Sequence, residues 1–439
     1  MIYPRLKVAK DFLTEDGVIF ISIDDNEVMN LRKMCDEIFG EDNFRNQIVV
    51  RRGAKSVQAQ FDTWDKLGKD CEYILLYTRN ASYRFPKQLR ELDEQRCGTW
   101  NNHWRGTDRP TMRYELFGIT PTSGQWRWSK ERSYIAAENY NRMLSEIGSN
   151  PTQEQIDEWY SRQTEAIDLL RLSAQGKPEH YIPPTNTTLL NSSWMDLLAG
   201  SSSEITALFG AKVFDTPKLT ALITRMLKFT TDDAIVLDFF AGSSTTAHAV
   251  MLANSQDFGH RKFILVQIPD PTPPNSEAAK SGYSTISQIG QERIRRAANS
   301  LIGDTGFRLL KVASSNLKPN AYITPDQLIP EILDSLTENI KSERSPLDLL
   351  FMCITDSGLP LSLPYSAENF EGFTIHFYGG KTLAACFDKN LSQSLIVHLA
   401  KLKPERAIFR DSCFANSADK INLRQLFKHY APNTKVDIL

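Results

Sequence analysis

The segment Val236-Leu-Asp-Phe-Phe-Ala-Gly-Ser-Ser-Thr-Thr-Ala-His248 decides how the rest of the chain is interpreted. It predicts a buried strand that ends in Asp238, a loop of small residues, and a helix over Ser244–Asn254. Unpaired N–H groups at a helix N-terminus, beside small side chains, favour the close approach of a ligand. The alternative is a plain strand-to-helix turn capped by Ser243 or Thr245. The loop lacks the G-x-G-x-x-G spacing of a dinucleotide site, which disfavours NAD.

Strands and helices alternate on both sides of this segment. Val18–Ile23 and Tyr73–Tyr77 are near-continuous apolar runs, as expected for strands buried on both faces, and a further strand is predicted at Lys262–Ile268. Such a rhythm indicates an α/β domain with a parallel sheet. We expect this domain to be discontinuous and to comprise residues 1–80 and 212–317.

Two further regions depart from the α/β rhythm. Residues 81–211 contain most of the tryptophans and are predicted to be a large insertion, with helices over Ser133–Glu146 and Thr152–Ala174. Residues 318–439 are predicted to form a small α+β domain. Its clearest signal is a hairpin through Gly379-Gly380.

The bulk composition predicts a cytoplasmic protein with no membrane segment. The chain has 439 residues, of which 41% are hydrophobic and 24% charged, as in a globular protein of two or three domains. Its net charge of −2 does not exclude nucleic-acid binding, because a basic face can lie within a neutral total. The six cysteines form no CxxC pair, so neither a zinc site nor a disulfide framework is expected. No apolar run reaches the length of a bilayer span, and the N-terminus lacks a signal-peptide pattern.

The loop segment resembles the S-adenosylmethionine loop of amino-methyltransferases, Asp-Pro-Phe-x-Gly-Ser-Gly-Thr-Thr. Phe214-Asp-Thr-Pro-Lys218 is similar to the Phe-x-x-Pro-Lys motif that precedes it in the β order of these enzymes, and Arg261–Pro269 resembles their second cofactor strand. Many relatives carry an acidic residue for the ribose hydroxyls where this chain has Gln267, which can form hydrogen bonds but has no charge. The resemblance implies a cofactor-binding set of Phe214, Pro217, Lys218, Asp238, Phe239, Phe240, Ala241, Gly242, Ser243, Ser244, Thr245, Thr246 and Gln267.

Longer stretches narrow the resemblance to the modification subunit of type III restriction–modification systems, over nearly the whole chain. They are Tyr3–Leu6, Gly17–Glu27, Cys35–Gly40, Arg127–Lys130, Phe409–Phe414, Lys420–Asn422 and Phe427–Lys428. The resemblance implies a Rossmann-like S-adenosylmethionine-dependent methyltransferase sheet with an inserted target-recognition domain and a C-terminal assembly domain. It further implies methylation of the N6 amine of adenine in double-stranded DNA, a homodimer, and a separate restriction subunit with helicase and nuclease activity. No metal is expected, because the methyl group moves by direct displacement.

One family motif is not found in these residues. The catalytic Asp-Pro-Pro-Tyr motif belongs before Tyr3 in this order, and the other candidate segments, Pro183-Pro184, Pro273-Pro274 and Leu363-Pro364-Tyr365, do not match it. We therefore assign no catalytic residue, expect Met1 to correspond to an internal methionine of a longer family sequence, and expect the chain alone to be inactive. The alternatives are a catalytically silent DNA-binding or assembly subunit or remnant, and, within the same chemistry, a cytosine-N4 methyltransferase.

The insertion interleaves arginines with aromatic rings. Arginines can contact phosphates or guanine edges, and rings can stack on bases or wedge between them. The alternative is that several tryptophans are core residues and the arginines lie on a solvated face. The predicted DNA-binding residues are Arg96, Trp100, Trp104, Arg105, Arg109, Arg113, Trp126, Arg127, Trp128 and Lys130.

Overall fold

The computed structural model describes residues 2–52, 69–318 and 339–439. It divides into two compact units, Met1–Thr305 and Gly306–Leu439. The second unit thus begins before residue 318, where the sequence places the boundary, because the segment after Thr305 packs within it. Arg308 Nη2 donates to the carbonyl oxygen of Leu363 at 3.0 Å, for example.

The described part of the first unit contains both helices and short strands. Its helices are α1 (Tyr3–Phe12), α2 (Val28–Phe39), α3 (Lys130–Ile147), α4 (Gln153–Ser161), α5 (Ser203–Phe209), α6 (Thr220–Leu227), α7 (Thr245–Asp257), α8 (Glu277–Lys280) and α9 (Ile286–Ala298). Its strands are β1 (Val18–Ile23), β2 (Phe44–Arg51), β3 (Cys71–Thr78), β4 (Leu89–Arg96), β5 (Thr99–Asn102), β6 (Trp104–Arg105), β7 (Gln125–Trp126), β8 (Leu170–Leu172), β9 (Pro178–Ile182), β10 (Thr185–Leu189), β11 (Ser193–Leu198), β12 (Ile235–Asp238) and β13 (Lys262–Leu265). None of the helices in the described ranges is long and apolar enough to span a membrane.

The larger sheet of this unit has the strand order β1-β3-β2-β11. The predicted strand Val18–Ile23 is confirmed, but the parallel pairing expected for it is wrong, because β1 and β3 run antiparallel with Val18 opposite Thr78. The reason is β2, a strand that was not predicted from the sequence. It pairs antiparallel with β3 and returns the chain to the same sheet.

Helices α1 and α2 cover this sheet along one apolar side. Helix α2 buries Val28, Leu31, Cys35 and Ile38, whose spacing of three and four residues places them on one face. They pack with Leu75 and other residues of β1 and β3 in a single cluster. One face of the sheet is therefore covered by a closed apolar core.

Another sheet of the unit is the parallel pair β12-β13, in which Ile235 lies opposite Lys262 and Asp238 opposite Leu265. Helix α7 connects the two strands and packs on them through Val250 and Ala253, which meet Val236 and Phe263. This strand–helix–strand unit is the arrangement that the sequence predicts.

The insertion is built from small antiparallel sheets and two helices. The helix predicted from Ser133 begins at Lys130, with the Ser129 hydroxyl accepting from the N–H of Arg132. The helix predicted to reach Ala174 ends at Ser161 instead. Leu170–Leu172 forms β8 and pairs with β9, so the later residues belong to a sheet.

The second unit is a five-stranded sheet covered on both faces. Its strands, in the order β14-β15-β16-β17-β18, are β14 (Tyr365–Phe370), β15 (Phe373–Tyr378), β16 (Leu383–Cys386), β17 (Arg406–Phe409) and β18 (Lys435–Ile438), and its described helices are α10 (Pro346–Asp356), α11 (Gln393–Leu402) and α12 (Ser417–Tyr430). The predicted hairpin is confirmed, since β15 and β16 pair antiparallel around two positive-φ glycines, Gly379 and Gly380. Ile408 packs with α10, whereas its neighbour Phe409 packs with α11 and α12. This α+β architecture agrees with the prediction.

Candidate functional site

The site is centred on the connection between β12 and α7. Asp238, the last residue of β12, accepts two hydrogen bonds: one from the N–H of Phe240 at 3.1 Å, and one from the hydroxyl of Thr246 at 2.6 Å. A carboxylate that accepts bonds from both ends of a loop fixes its length and curvature. Asp238 therefore closes the loop between the strand and the helix.

The backbone of this loop takes an unusual course. Gly242 has φ +51° and Ser244 has φ +60°, so both lie in the left-handed region that a residue with a side chain rarely adopts. The Ser244 N–H donates to the carbonyl oxygen of Ala241 at 2.7 Å. The loop is consequently a tight turn whose small side chains at 243–246 are buried.

Gln267, two residues after the end of β13, holds this turn. Its Oε1 accepts from the N–H of Gly242 at 2.7 Å, and its Nε2 donates to the carbonyl oxygen of Ile268 at 2.9 Å. The sequence predicts Gln267 as a ribose contact. In the structure its side chain bonds to the loop and to the backbone of the next residue, Ile268, and the ribose contact stays a prediction.

The upstream motif reaches the loop through backbone and ring contacts. Thr245 Oγ1 donates to the carbonyl oxygen of Lys218 at 3.2 Å, and a Cβ atom added to Gly242 would lie 3.5 Å from the Phe214 ring. The Lys218 ammonium forms an ion pair with Glu72 at 2.7 Å. Pro217 is buried, and its carbonyl oxygen accepts from the N–H of Ser201. The motif therefore supports the loop, and the Lys218 ammonium is paired with a carboxylate of β3.

The two phenylalanines after Asp238 have different environments. Phe239 packs against the cluster formed by α1, α2, β1 and β3, whereas Phe240 is 59% exposed. Their ring centroids are 5.1 Å apart. Phe239 thus ties the loop to the larger sheet, and Phe240 is left available to a ligand.

These residues fit an adenosyl-type cofactor. The loop has no bulky side chain between Ala241 and Thr246, and the Phe214 ring lies beside Gly242, where an adenine ring could stack. The parallel strands β12 and β13 end next to the loop, and ligands of open α/β sheets bind at the carboxyl ends of such strands. No group of three or more metal-ligating side chains is found among the described residues.

A buried charged network behind the loop was not predicted from the sequence. Arg293 of α9 is fully buried and contacts Ser243, Thr245, Thr220 and Glu204. An arginine inside an amphipathic helix is ordinarily a surface residue, so the sequence carried no clear signal for it. Its spacing in the helix was the one indication of burial: Arg293 follows Ile289 by four residues, which places both on the buried face of α9.

The predicted DNA-binding residues divide into exposed and structural groups. Exposed side chains are found at Arg96, Trp104, Arg105, Arg109, Arg127 and Lys130. Trp126, by contrast, is only 2% exposed, and its Nε1 donates to the carbonyl oxygen of Tyr114 at 2.8 Å. Arg113 is bonded to the carbonyl oxygen of Gly124 and paired with Asp108. Trp126 and Arg113 therefore serve the core of the insertion in this structure.

The remaining two rings are half-buried beneath arginines. Arg171 lies 4.1 Å from the ring centroid of Trp100, and Arg132 lies 4.5 Å from that of Trp128. Both arginines also pair with carboxylates within the insertion. One ring face of Trp100 and one of Trp128 are therefore covered by an arginine, so those faces are not open to stacking on a base.

Two histidines complete the aromatic core of the insertion. His103 is fully buried, and its ring lies 5.6 Å from that of His180 and 4.9 Å from that of Trp128. Burial lowers the pKa of His103 to about 3, and the neighbouring His180 acts in the same direction. The two histidines are therefore uncharged near neutral pH, in contrast to the charged network behind the loop.

The sheet, the connecting helix and the small-residue loop define a protein of mixed α/β fold with a candidate ligand site at the carboxyl ends of two parallel strands. A family model for N6/N4 methyltransferases, described as a DNA methylase, matches residues 1–270. The chain belongs to this DNA methylase family.

Curated relatives agree with this assignment. The EcoPI Mod subunit of a type III restriction-modification enzyme, from Escherichia phage P1, is 28% identical over all of this chain and 72% of its own length. The StyLTI Mod subunit of Salmonella typhimurium is 33% identical over 76% of this chain, which spans 50% of that relative. The type II methyltransferase M.KpnI of Klebsiella pneumoniae is 31% identical over 68% of this chain and 73% of its own length. The predicted resemblance to type III modification subunits is confirmed.

Proposed function

We propose that the Asp238–Thr246 loop binds S-adenosylmethionine and that the chain takes part in methylating the N6 amine of adenine in DNA. The observation that carries the proposal is the closure of the loop by Asp238, which joins the Phe240 N–H and the Thr246 hydroxyl. Phe214 and the exposed Phe240 are the proposed ring contacts. When bound, the cofactor supplies the electrophilic methyl group.

Cofactor binding tests the assignment of the loop. Asp238→Ala removes two hydrogen bonds to a charged acceptor, and such bonds contribute roughly 1.5–3 kcal/mol each. Isothermal titration calorimetry should detect weak, saturable S-adenosylmethionine binding by the wild-type chain, with the affinity about tenfold lower or more in the variant.

The matched control is Asp233→Ala, because Asp233 is an exposed carboxylate just before β12 that bonds only to a neighbouring threonine side chain in the described contacts. It should leave the affinity unchanged. Equal affinities for the wild type and Asp238→Ala would remove the loop from the cofactor site.

The catalytic motif is the second part of the proposal. These 439 residues contain no Asp-Pro-Pro-Tyr sequence, and we propose that a segment bearing it must join them for methyl transfer. Two strand edges support this. Among the described residues β1 pairs only with β3, and β12 pairs only with β13. Phe239, directly after β12, packs against the same apolar cluster as Ile19, Ile21 and Ile23 of β1, so an added strand could pair beside both.

In this proposal the chain's own residues position the two substrates rather than exchange protons with them. The loop holds the cofactor, Phe240 lies at its exposed side, and the insertion holds the duplex while the target adenine is turned out of the stack. The exposed cations Arg96, Arg105, Arg109, Arg127 and Lys130 are the proposed phosphate or base contacts. The cytosine-N4 alternative uses the same site, and methylation of oligonucleotides that contain only one of the two acceptor bases would separate them.

The assembly state completes the proposal. We propose a cytoplasmic homodimer, as the composition and the family resemblance imply, and a separate restriction subunit as its partner, since EcoPI and StyLTI Mod are named as subunits of type III restriction-modification enzymes. Analytical ultracentrifugation at micromolar concentration should give twice the 49.9 kDa chain mass. A monomer under these conditions would contradict the homodimer.

A further inference from the structure

One side chain behind the loop is a buried arginine. Arg293 has no exposed surface, and it lies on the face of α9 that also buries Ile289 and Ile294. Burial lowers the pKa of the Arg293 guanidinium, but such a group stays protonated, so it needs hydrogen-bond acceptors inside the protein. The hydrogen-bond partners of the guanidinium therefore indicate the role of Arg293.

Half of the guanidinium faces the loop. Arg293 Nη1 donates to the hydroxyl of Ser243 at 3.1 Å and to that of Thr245 at 2.7 Å. The two acceptors flank Ser244, the residue with φ +60°. A strained conformation persists only where its surroundings determine it, and here a bond on each side does so.

The other half faces a carboxylate. Arg293 Nη2 donates to Glu204 Oε2 and to Thr220 Oγ1, both at 3.2 Å. Glu204 in turn accepts from the Thr220 N–H at 3.1 Å and from its hydroxyl at 2.8 Å. The guanidinium thus links α5, α6 and α9 to the loop, with its charge balanced by Glu204.

A second contact brings α9 against the loop one turn earlier. A Cβ atom at Gly290 would lie 2.4 Å from Ser244 Oγ and 3.3 Å from the carbonyl oxygen of Gly242. Only glycine allows this approach without displacing the turn. Gly290 and Arg293 therefore contact the loop from the same face of one helix.

We propose that Arg293 is a positioning residue of the cofactor loop, which holds Ser243 and Thr245 so that the turn keeps its ligand-binding shape before the cofactor arrives. The inference rests on the proposed function for the identity of the ligand. A loop that is already ordered loses less conformational entropy on binding. A planar fork can serve three hydroxyls and a carboxylate at once, and a lysine cannot reproduce that geometry.

Hydrogen exchange tests the inference without the cofactor. In Arg293→Met and Arg293→Lys, loop peptides covering 239–246 should exchange at least tenfold faster than in the wild type, measured by mass spectrometry on the ligand-free full chain. The matched control is Ile294→Ala, which truncates a side chain of the same helix that is 4% exposed. It destabilises the core and should leave loop exchange unchanged. Wild-type exchange in the Arg293 variants, or equal acceleration in Ile294→Ala, would overturn the inference.

Ser243→Ala provides a second approach, in which the single variant leaves the buried Arg293 in place. It removes one acceptor and should accelerate loop exchange severalfold on its own, with little further change when combined with Arg293→Lys, because both act through one network. Fully additive effects would show that Arg293 does not act through the hydroxyls.

Cofactor binding then separates the two proposals. S-adenosylmethionine affinity should fall about tenfold in Arg293→Met and remain within twofold of the wild type in Ile294→Ala. If Asp238→Ala weakens binding and Arg293→Met does not, the cofactor site stands and the positioning role fails. If the wild type does not bind the cofactor, the proposed function fails, while loop exchange still decides whether Arg293 orders the loop.

Discussion

Charged side chains are paired or buried at the cofactor loop, whereas those of the insertion include exposed arginines. In the loop, Asp238 is bonded within the turn and Arg293 is buried behind it with Glu204 as its counter-charge. In the insertion, Arg105 and Arg109 are exposed, and the centre is an aromatic core with a neutral His103. A small ligand needs a shaped cavity, whereas a polyanion needs accessible cations. Under the proposed function, the loop and the insertion therefore meet different recognition requirements, those of a small cofactor and those of DNA.

The placement of charges in the two regions also predicts how substitutions in each region act. Removal of one member of a buried charged network leaves its partner unpaired, which is more damaging than the loss of the bond itself. Removal of an exposed cation leaves folding almost unchanged. Substitutions in the loop should thus affect shape, and those on the insertion surface should affect affinity for DNA alone.

The largest expected effect concerns methyl transfer. The loop can position a cofactor, but no Asp-Pro-Pro-Tyr segment is present in residues 1–439 to orient the adenine amine. Orientation can supply about 7–11 kcal/mol of a barrier. Transfer from tritiated S-adenosylmethionine to DNA should therefore be at background for residues 1–439 alone, and it should be recovered when a segment bearing the motif is fused ahead of Tyr3 or co-expressed.

The control for this assay is a fusion in which the aspartate of the added motif is replaced by alanine. It should stay at background while it binds the cofactor normally. Robust methylation by residues 1–439 alone would mean that another residue of this chain orients the adenine amine. It would contradict the proposal that an added segment is needed for methyl transfer.

The next effect compares two tryptophans of the insertion. Trp126 is 2% exposed and Trp104 is 39% exposed. Because a buried tryptophan leaves a large cavity, Trp126→Ala should destabilise the insertion by about 3–5 kcal/mol. Trp104→Ala should change stability much less and weaken DNA binding by about 1 kcal/mol or more if its ring stacks on a base.

Thermal unfolding and fluorescence anisotropy on a labelled duplex measure the two quantities. A large loss of stability in Trp104→Ala would place its ring in the core, where its Nε1 bond to the Ser123 carbonyl oxygen would be the anchor. Trp126→Ala with normal stability would break the distinction between the core and the surface of the insertion.

The smallest expected effect is on the salt dependence of DNA binding. Each phosphate contact that is lost reduces the slope of log K against log salt by about 0.9. The double variant Arg105→Gln/Arg109→Gln should therefore bind DNA with a flatter slope and with unchanged stability, since both side chains are exposed.

The control carries the same change of charge elsewhere in the insertion. Arg142 and Arg162 are exposed arginines that pair with glutamates of their own helices, Glu146 and Glu158. Arg142→Gln/Arg162→Gln should keep the wild-type slope. If both double variants flatten the slope equally, the effect is one of net charge, and Arg105 and Arg109 make no specific contact.

Much of the architecture could be predicted because it depends on local patterns. The run Val18–Ile23 and the hairpin through Gly379-Gly380 lie where predicted, since apolar continuity and paired glycines constrain the chain within a few residues. Strand β2 was missed because FRNQIVVR alternates polar and apolar residues imperfectly. The end of α4 was misplaced because β8 is defined by its pairing with β9, which lies farther along the chain.

The loop from Asp238 to Thr246, the family and the candidate cations could be recognised from the amino-acid sequence, because each depends on residue type and spacing. The pairing direction of β1, the burial of Trp126, the Lys218–Glu72 pair and the position of Arg293 behind the loop follow instead from contacts in the folded chain. The physical reason is that hydrogen bonds and burial join residues far apart in the chain. Arg293 and Glu204 are separated by 89 positions yet share one ion pair.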